Sequence, residues 1–320
     1  MLLALCLCMT GCMQVAAQDP GSAIRWKDAG DVKKPAIPKK LKRDSEGVPV
    51  LKVHDVRAKK TEEMDLETYV AGVVAGEMKN DWPMAALEAQ AILARTFVLK
   101  FCQDKASKYD GADISTDVSK AQAYAPDDVN ARVRQAVQGT RGRVMAADGE
   151  YPYAWFHAHS GGMTELPSVA LDYRQEDPAY LAPVASDESA DAPEDVQRWT
   201  ATFTTDEVVR ACRDAGLSVD GVESIALGEK GESGRARTIQ VNGREVSAPS
   251  FRIQIGANRL KSTLIERVRL RGDSVTFTGR GFGHGVGLSQ WGAYAMARDG
   301  DSAEVILAHY FRDVDIVRLW

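Results

Sequence analysis

Two helical periodicities in succession constrain the fold of this 320-residue chain more than any other feature of its sequence. Apolar residues recur at helical spacing over residues 66–77, and a second apolar stripe runs from Leu87 to Phe101. Asp81 is suited to cap the second helix and Pro83 to occupy its first turn. We therefore expect two consecutive helices, each with one buried face.

Two further helices are predicted in the middle of the chain. One covers residues 132–137 and is closed by Gly139. The other covers residues 204–216, where Thr204 and Glu207 have the spacing of a capping box. A capping box satisfies backbone amides that the first turn of a helix leaves unpaired, so it marks where this helix begins.

Strand patterns dominate the rest of the chain. Residues 48–56, 251–255 and 274–278 read as strands. Asn242-Gly243 lies between two alternating runs, which is the strongest short-range signal for a hairpin. Neither a strand–helix–strand alternation nor an internal repeat is present. The sequence therefore predicts an α+β fold, a single catalytic domain of mixed helices and antiparallel strands.

The composition is that of an ordinary globular protein, with 44% hydrophobic and 27% charged residues. It excludes collagen-like, coiled-coil and wholly disordered chains. The net charge of −5 gives no electrostatic reason to expect a nucleic-acid partner. A neutral or polar substrate fits this balance better.

The first 17 residues have the character of an export signal. Residues 2–12 are apolar but too short to span a bilayer, as in the apolar part of a signal peptide. Two cleavage sites fit: a loose lipobox that would make Cys12 the lipidated first residue, or the small residues 15–17 of an ordinary secreted protein. We expect an exported protein of the periplasm or cell envelope, in contact with membrane only through a lipid anchor at Cys12.

Residues 18–48 are rich in Pro and Lys and predict a flexible linker, which leaves residues 49–320 for the catalytic domain. Beyond the leader the chain keeps two cysteines, Cys102 and Cys212. They are compatible with one disulfide in an oxidising compartment or with two buried thiols. The chain has no CxxC spacing to support a structural zinc site.

Glu77 is the first candidate for chemistry. It falls one helical turn after Val73, on the buried face of its helix. A glutamate among valines should have a raised pKa, and a carboxyl that stays protonated can donate to a leaving glycosidic oxygen. The alternative is a structural ion pair, with Arg95 as the partner.

The second candidate is the glycine-rich stretch TGRGFGHGVGLSQWGAYA at residues 278–295. It has neither the lysine of a phosphate loop nor the spacing of a dinucleotide-binding loop. Bare backbone around Gly283 would let a ligand approach, with His284, Gln290 and Trp291 supplying hydrogen bonds and an aromatic face. The alternative is a tight turn that leads into a helix.

The third candidate is WFHAHSGGMTE at residues 155–165. His157 and His159 would share one side of an extended segment, but no third zinc ligand is evident nearby. Ser160 lacks the surroundings of a nucleophile elbow. We expect these side chains to line a groove or to serve the fold.

The three segments together resemble the stage II sporulation protein D family of cell-wall enzymes. The matching stretches are YVAGVVAGEM with AQAILARTF, FHAHSGGMTE, and FGHGVGLSQWGA with ILAHYF. The resemblance implies a peptidoglycan lytic transglycosylase in which Glu77 is the general acid/base and Arg95 flanks the active site. The residues that it implies for substrate binding are His157, His159, Ser160, Gly283, His284, Gln290, Trp291 and Tyr310.

The implied partners are peptidoglycan glycan strands and a cell-wall amidase. Some members bind zinc through cysteines and a histidine, but the corresponding residues 114–124 contain neither, so we expect no metal and no cofactor. Two other functions stay open. One is a non-catalytic glycan-binding modifier that enhances a partner amidase, and the other is a zinc hydrolase built on His157 and His159.

Overall fold

The computed structural model describes residues 32–118 and 121–320. Its helices are α1 (Leu66–Glu77), α2 (Met84–Asp104), α3 (Ala131–Gly139), α4 (Pro167–Ala170), α5 (Glu194–Gln197), α6 (Thr205–Asp214), α7 (Ala248–Gly256), α8 (Gln290–Arg298) and α9 (Ala303–Tyr310). Its strands are β1 (Lys42–Arg43), β2 (Pro49–Asp55), β3 (Lys60–Asp65), β4 (Ile114–Ser115), β5 (Arg143–Ala146), β6 (Phe156–His157), β7 (Arg198–Thr204), β8 (Ile225–Leu227), β9 (Thr238–Val241), β10 (Arg244–Ser247), β11 (Ile265–Arg271), β12 (Ser274–Arg280), β13 (Leu288–Ser289) and β14 (Asp315–Arg318). The α+β fold class is confirmed. None of these helices is long and apolar enough to cross a membrane.

The first residues of three helices can be compared with the predicted capping signals. Asp65 caps α1 by accepting a hydrogen bond from the Thr68 N–H at 2.9 Å. Pro83 occupies the N-cap of α2 and its side chain makes no capping hydrogen bond. The prediction that Asp81 caps α2 is therefore wrong. The predicted capping box of Thr204 and Glu207 at the start of α6 is confirmed.

Most strand pairs are antiparallel. β2 lies between β1 and β3 and also pairs with the short β4, in parallel. A second sheet has the order β11–β12–β7, and a third has the order β10–β9–β8. β9 and β10 form the predicted hairpin, in which Asn242 and Gly243 both adopt the positive φ that a tight turn of this type requires.

The buried hydrophobic side chains of the described residues form two separate clusters. The first surrounds α1 and α2, and the second lies between β7, β12, α6 and α7. The chain leaves the first cluster after Val196, builds the second from Trp199 to Phe277, and rejoins the first at Val286. The glycine-rich stretch is this returning segment, and it carries α8 back onto α2.

One predicted strand is a helix. Residues 251–255 alternate in sequence, yet they lie within α7. Ser247 begins that helix by accepting a hydrogen bond from the Ser250 N–H at 3.2 Å, and Pro249 fits its first turn. A local capping signal therefore outweighs five residues of alternation.

Some residues of the predicted linker are buried. Ile37, Leu41 and Val48 are buried, so the last part of the predicted linker packs on the first cluster. The predicted leader and Cys12 lie outside the described residues. Cys102 and Cys212 are free buried thiols, one in each hydrophobic cluster, so they do not form a disulfide.

Candidate active site

Glu77 is the last residue of α1. Val73 and Val74 are fully buried one turn earlier, whereas the side chain of Glu77 is partly exposed. Burial raises the pKa of the Glu77 carboxyl, and the Ala123 N–H and the Gln290 amide oppose that rise without cancelling it. The carboxyl therefore stays protonated to a higher pH than an exposed glutamate does.

The contacts of this carboxyl are sparse. The Ala123 N–H donates a hydrogen bond to Oε1 at 2.6 Å. Among the described residues, no Lys, Arg or His forms an ion pair with Glu77. A carboxyl in this position can still give or take a proton, because no fixed positive charge holds it ionised.

Two glycines on α1 let the chain approach Glu77 closely. A Cβ on Gly76 would lie 2.8 Å from the backbone of Ala123 and Tyr124, and a Cβ on Gly72 would overlap the Tyr124 ring. The Ala125 N–H also donates to the Gly72 carbonyl at 2.9 Å. The missing side chains therefore allow this segment to lie directly on the helix, where the Ala123 amide reaches Glu77.

The glycine-rich stretch meets Glu77 through Gln290. Ser289 caps α8, and Gln290 is the first residue of that helix. The Gln290 side-chain amide donates to the backbone carbonyl of Glu77 at 3.2 Å. The first and second candidate segments thus meet at one place.

An aromatic cavity of about 450 Å³ adjoins this place. It is lined by Lys79, Asp81, Trp82, Pro83, Arg132, Asp191, Trp291, Tyr294 and Arg298. The ring centroids of Trp82 and Trp291 are 4.6 Å apart, and Lys79 lies over the Trp291 ring at 5.5 Å. Lys79 follows Glu77 by two residues, which limits their Cα separation to about 7.6 Å. A second cavity, of about 460 Å³ and lined by Glu194, Asp195, Gln197 and Arg198, involves none of the residues that contact Glu77.

Arg95 belongs to another part of the molecule. Its guanidinium is fully buried and forms a two-point ion pair with Glu67, at 2.6 and 3.1 Å. Glu67 lies ten residues before Glu77 on α1, which is a rise of about 15 Å along the helix. The ion pair that we considered between Glu77 and Arg95 is therefore absent, and Arg95 does not contact the carboxyl that it was expected to flank.

Most of this chain is similar in sequence to known proteins. A family model described as stage II sporulation protein matches residues 54–146, and a model described as a domain of unknown function matches residues 164–287. The stage II sporulation protein D of Bacillus amyloliquefaciens is 30% identical over 303 residues, which cover 86% of this chain and 80% of that protein. The chain belongs to the stage II sporulation protein D family. Proteins of this family act on the cell wall.

Two other relatives extend the comparison. An uncharacterized protein of Brachyspira hyodysenteriae is 32% identical over 80% of this chain and 67% of its own length. A Bacillus subtilis protein named amidase enhancer is 26% identical over 75% of this chain and 39% of its own length. The resemblance that the three sequence segments indicated is therefore confirmed.

Most side chains expected to bind substrate are buried in this member of the stage II sporulation protein D family, including His157 at 4%, Gln290 at 6% and Trp291 at 7% exposure. Ser160, His159 and Tyr310 are each at most 4% exposed. Ser160 donates its hydroxyl to Glu188, and Tyr310 shares a hydrogen bond of 2.8 Å with Ser186. Their polar atoms are used in hydrogen bonds within the protein.

His157 and His284 lie side by side, with ring centroids 5.6 Å apart. Burial, together with His284 and Arg235, lowers the pKa of His157 well below its usual range. Burial and the nearby Arg252 and Arg235 lower the pKa of His284 to about 3. Both rings are therefore neutral at neutral pH, and the partly exposed His284 is the better placed of the two to line a groove.

The glycines around His284 face the protein itself. Gly283 and Gly285 have φ values of +108° and +87°, which glycine adopts without strain. A Cβ on Gly283 would lie 2.7 Å from the Cβ of His157, and one on Gly285 would overlap the Arg235 guanidinium. The structure thus favours the alternative in which these positions form a tightly packed turn.

The described residues contain no set of side chains that would support the zinc-binding alternatives. Within residues 32–118 and 121–320, no group of three or more His, Cys, Asp or Glu side chains could hold a metal ion. Nδ1 of His159 accepts the Gly161 N–H at 3.0 Å, and Nδ1 of His157 lies 3.1 Å from the Val286 carbonyl. Ala123, in the segment that the family resemblance compared with a zinc-binding segment, approaches Glu77 through its backbone amide.

Proposed function

We propose that this chain is a lytic transglycosylase that cleaves the bond between N-acetylmuramic acid and N-acetylglucosamine in peptidoglycan, with Glu77 as general acid and then base. One observation carries the proposal. Glu77 is a partly buried carboxyl with a raised pKa and no ion-pair partner among the described residues, and it lies two residues before Lys79, which lines an aromatic cavity. Membership of a family that acts on the cell wall supports peptidoglycan as the substrate.

The proposed reaction needs one carboxyl. Protonated Glu77 gives its proton to the glycosidic oxygen while the bond from that oxygen to C1 of the muramic acid breaks. The Glu77 carboxylate then accepts the proton of the muramoyl C6 hydroxyl, whose oxygen bonds to C1 and closes a 1,6-anhydro ring. Because the attack is intramolecular, orientation replaces the second carboxylate that a retaining hydrolase uses.

The cavity beside Glu77 supports a saccharide substrate. Trp82 and Trp291 are among its lining residues. A tryptophan ring offers an apolar face on which a sugar ring can pack and an N–H that can donate a hydrogen bond. Lys79 and Arg132 have no carboxylate within ion-pair distance among the described residues. The Arg132 Nε donates to the Trp82 carbonyl at 2.7 Å, which leaves its other N–H groups and the Lys79 ammonium to bind polar or anionic groups on the strand.

The direct test is mass spectrometry of purified glycan strands after incubation with the protein. We expect new 1,6-anhydromuramic ends with the wild type and none above background with Glu77→Gln. Reducing ends without the anhydro ring would indicate a hydrolase instead. Equal anhydro product from both proteins would remove Glu77 from the mechanism.

A second candidate function follows from the relative named amidase enhancer. In this alternative the cavity binds glycan without cleaving it and increases the activity of a cell-wall amidase. Peptide release by an added amidase would then rise equally with the wild type and with Glu77→Gln. A rise seen only with the wild type favours cleavage of the strand.

The proposed substrate lies outside the cytoplasm, so export is part of the proposal. The apolar segment at residues 2–12 supports it. Lipid attachment at Cys12 remains one of the two predicted cleavage outcomes. Labelling of cells with a radioactive or clickable fatty acid separates them, because only the lipidated form carries the label and Cys12→Ala would lose it.

A further inference from the structure

A second buried carboxylate lies outside the Glu77 site. The Glu188 side chain is 8% exposed, and the described residues place no Lys or Arg within ion-pair distance of it. The nearest basic atom is Nε2 of His159 at 3.9 Å, and burial lowers the pKa of that histidine despite the opposing charge of Glu188. A carboxylate buried in this way has to be stabilised by hydrogen bonds.

Three serines supply those hydrogen bonds. Oε1 of Glu188 accepts from the Ser160 N–H at 2.8 Å, from the Ser160 hydroxyl and from the Ser186 hydroxyl at 3.1 Å. The Ser289 hydroxyl lies 2.8 and 2.9 Å from the two carboxylate oxygens. Serines from three separate segments therefore converge on one charge, in a region where such bonds are strong.

The charge also fixes the direction of the Ser289 hydroxyl. A serine hydroxyl has one proton to donate and lone pairs that accept. Because that proton goes to Glu188, the Ser289 oxygen is left to accept the Ser160 N–H at 3.2 Å and the Gly292 N–H at 3.5 Å. The second of these bonds caps α8.

The start of α8 is the part that touches Glu77. Gln290 follows Ser289, is 6% exposed, and donates its amide to the Glu77 carbonyl at 3.2 Å. The hydrogen bonds thus connect Glu188 to Ser289, Ser289 to the first turn of α8, and Gln290 to the end of α1.

We propose that Glu188 is a positioning residue: it holds Ser289 and with it the first turn of α8, so that the Gln290 amide stays against the end of α1 that carries Glu77. The catalytic part of this inference rests on the proposed function. The coupling between Glu188 and the Glu77 carboxyl does not, because it can be measured without substrate.

The Gln290 amide and the Ala123 N–H both act against the effect of burial on the pKa of Glu77. Releasing Gln290 should therefore raise that pKa further. The titratable side chain on α1 that faces Glu77 is Tyr69, and Lys79 is the nearest lysine along the chain. Around Glu188 the corresponding groups are His159, Arg235 and Tyr310.

The experiment is a carbon-13 NMR titration of the glutamate carboxyls in the intact protein, with the Glu77 signal assigned by its loss in Glu77→Gln. Gln290→Ala measures the upward shift that follows from losing the amide. Glu188→Gln should shift the Glu77 pKa in the same direction, and Glu188→Asp should restore part of it. With Glu188→Gln and Gln290→Ala combined, the shift should equal that of Gln290→Ala alone, because both changes act through one contact.

Glu165→Gln is the matched control. Glu165 is also buried and holds a serine, since Ser233 donates its hydroxyl to it at 2.7 Å. None of the hydrogen bonds made by the Glu165 side chain reaches α8. This variant should leave the Glu77 pKa unchanged. An equal shift in Glu165→Gln, or additive shifts in the double variant, would overturn the proposal.

The activity measurement uses the same variants. Glu188→Gln should lower kcat by about tenfold to a hundredfold, as small displacements of a catalytic group do, with KM unchanged. If Glu188→Gln does not fold, Ser289→Ala replaces it, and an unmoved Glu77 pKa in that variant contradicts the proposal. A pKa coupling without any loss in Glu77→Gln activity would instead refute the proposed function and leave the positioning role intact.

Discussion

Helix α1 carries a glutamate near each end, and the two carboxyl groups have opposite surroundings. Glu67 accepts hydrogen bonds from the Arg95 guanidinium, from the Gly142 N–H and from the Trp320 indole. The Glu77 carboxyl has only neutral partners: it accepts a hydrogen bond from the Ala123 N–H, and the Gln290 amide beside it also lowers its pKa. The Glu67 carboxylate near the start of α1 thus makes many hydrogen bonds, and the Glu77 carboxyl at the end of the same helix makes few.

The difference indicates what each end of the helix is for. A carboxylate held by a guanidinium and two further N–H groups is fixed in one geometry beside a permanent cation. A carboxyl with only neutral partners can change its protonation state at little cost to the fold. The first arrangement suits the framework of the domain, and the second suits acid–base chemistry.

The largest expected effect is on reaction rate at the Glu77 end. Glu77→Gln keeps the shape of the side chain and removes the transferable proton, so cleavage should fall by about 10² to 10⁴ with the thermal midpoint preserved. Glu67→Gln is the matched change at the other end and should lower stability instead. Strand-cleavage rates and thermal melts of both variants check this, and a loss below about tenfold in Glu77→Gln would count against the assignment.

The next effect is on stability at the Glu67 end. Arg95→Met keeps the buried apolar stem but leaves Glu67 without its cation, which should cost about 3–5 kcal/mol. The double variant with Glu67→Gln should recover part of that loss, because no unpaired charge remains. Denaturant unfolding gives the free energies. A large loss of rate at unchanged stability would show that Arg95 acts in the active site, as the family resemblance implied.

A smaller effect is expected where the backbone meets Glu77. Gly76→Ala should displace the segment at Ala123, because the new Cβ would lie 2.8 Å from that backbone. Losing the Ala123 N–H removes one of the two groups that oppose burial, so the Glu77 pKa should rise and the rate should fall by about tenfold. Gly139→Ala, at the end of α3, is the control, and an equal effect there would point to general loosening.

The sequence predicts helix α1 and places Glu77 on its buried face, where the structure leaves the side chain partly exposed, but it does not predict which carboxylate meets Arg95. The bounds of α1 agree with the prediction because its periodicity and cap are local signals. The partners of Glu67 lie 28 residues away at Arg95 and 253 residues away at Trp320, so only the packed fold brings them together. The sequence offered Arg95 as a partner for Glu77, and only the structure shows that its partner is Glu67.

Other parts of the site depend on packing in the same way. Glu188 lies in a segment without periodicity, and two of its three serines, Ser160 and Ser289, come from segments that meet it only in the folded domain. The glycines of α1 are a signal that was present in the sequence, since Gly72 and Gly76 lie one turn apart and open one face of the helix to close approach. They predict a contact there without naming the segment that makes it.

The smallest expected effect is on how stability changes with pH, and it tests the contrast between the two ends directly. Because the folded-state pKa of Glu77 is raised, the folded protein binds more protons than the unfolded chain between the two pKa values, so this group makes stability fall as pH rises through that interval. Glutamine is uncharged throughout. The free energy of unfolding of Glu77→Gln minus that of the wild type should therefore be close to zero below the unfolded pKa and become positive as the pH rises, reaching a plateau above the folded pKa.

Glu67→Gln should instead be less stable than the wild type at neutral pH, since it leaves the buried Arg95 without its counter-charge. Denaturant unfolding at a series of pH values measures both curves. A difference for Glu77→Gln that stays constant with pH, or becomes negative, would mean that Glu77 is as firmly held in its charged form as a framework carboxylate, and the chemical distinction between the two ends of α1 would be lost.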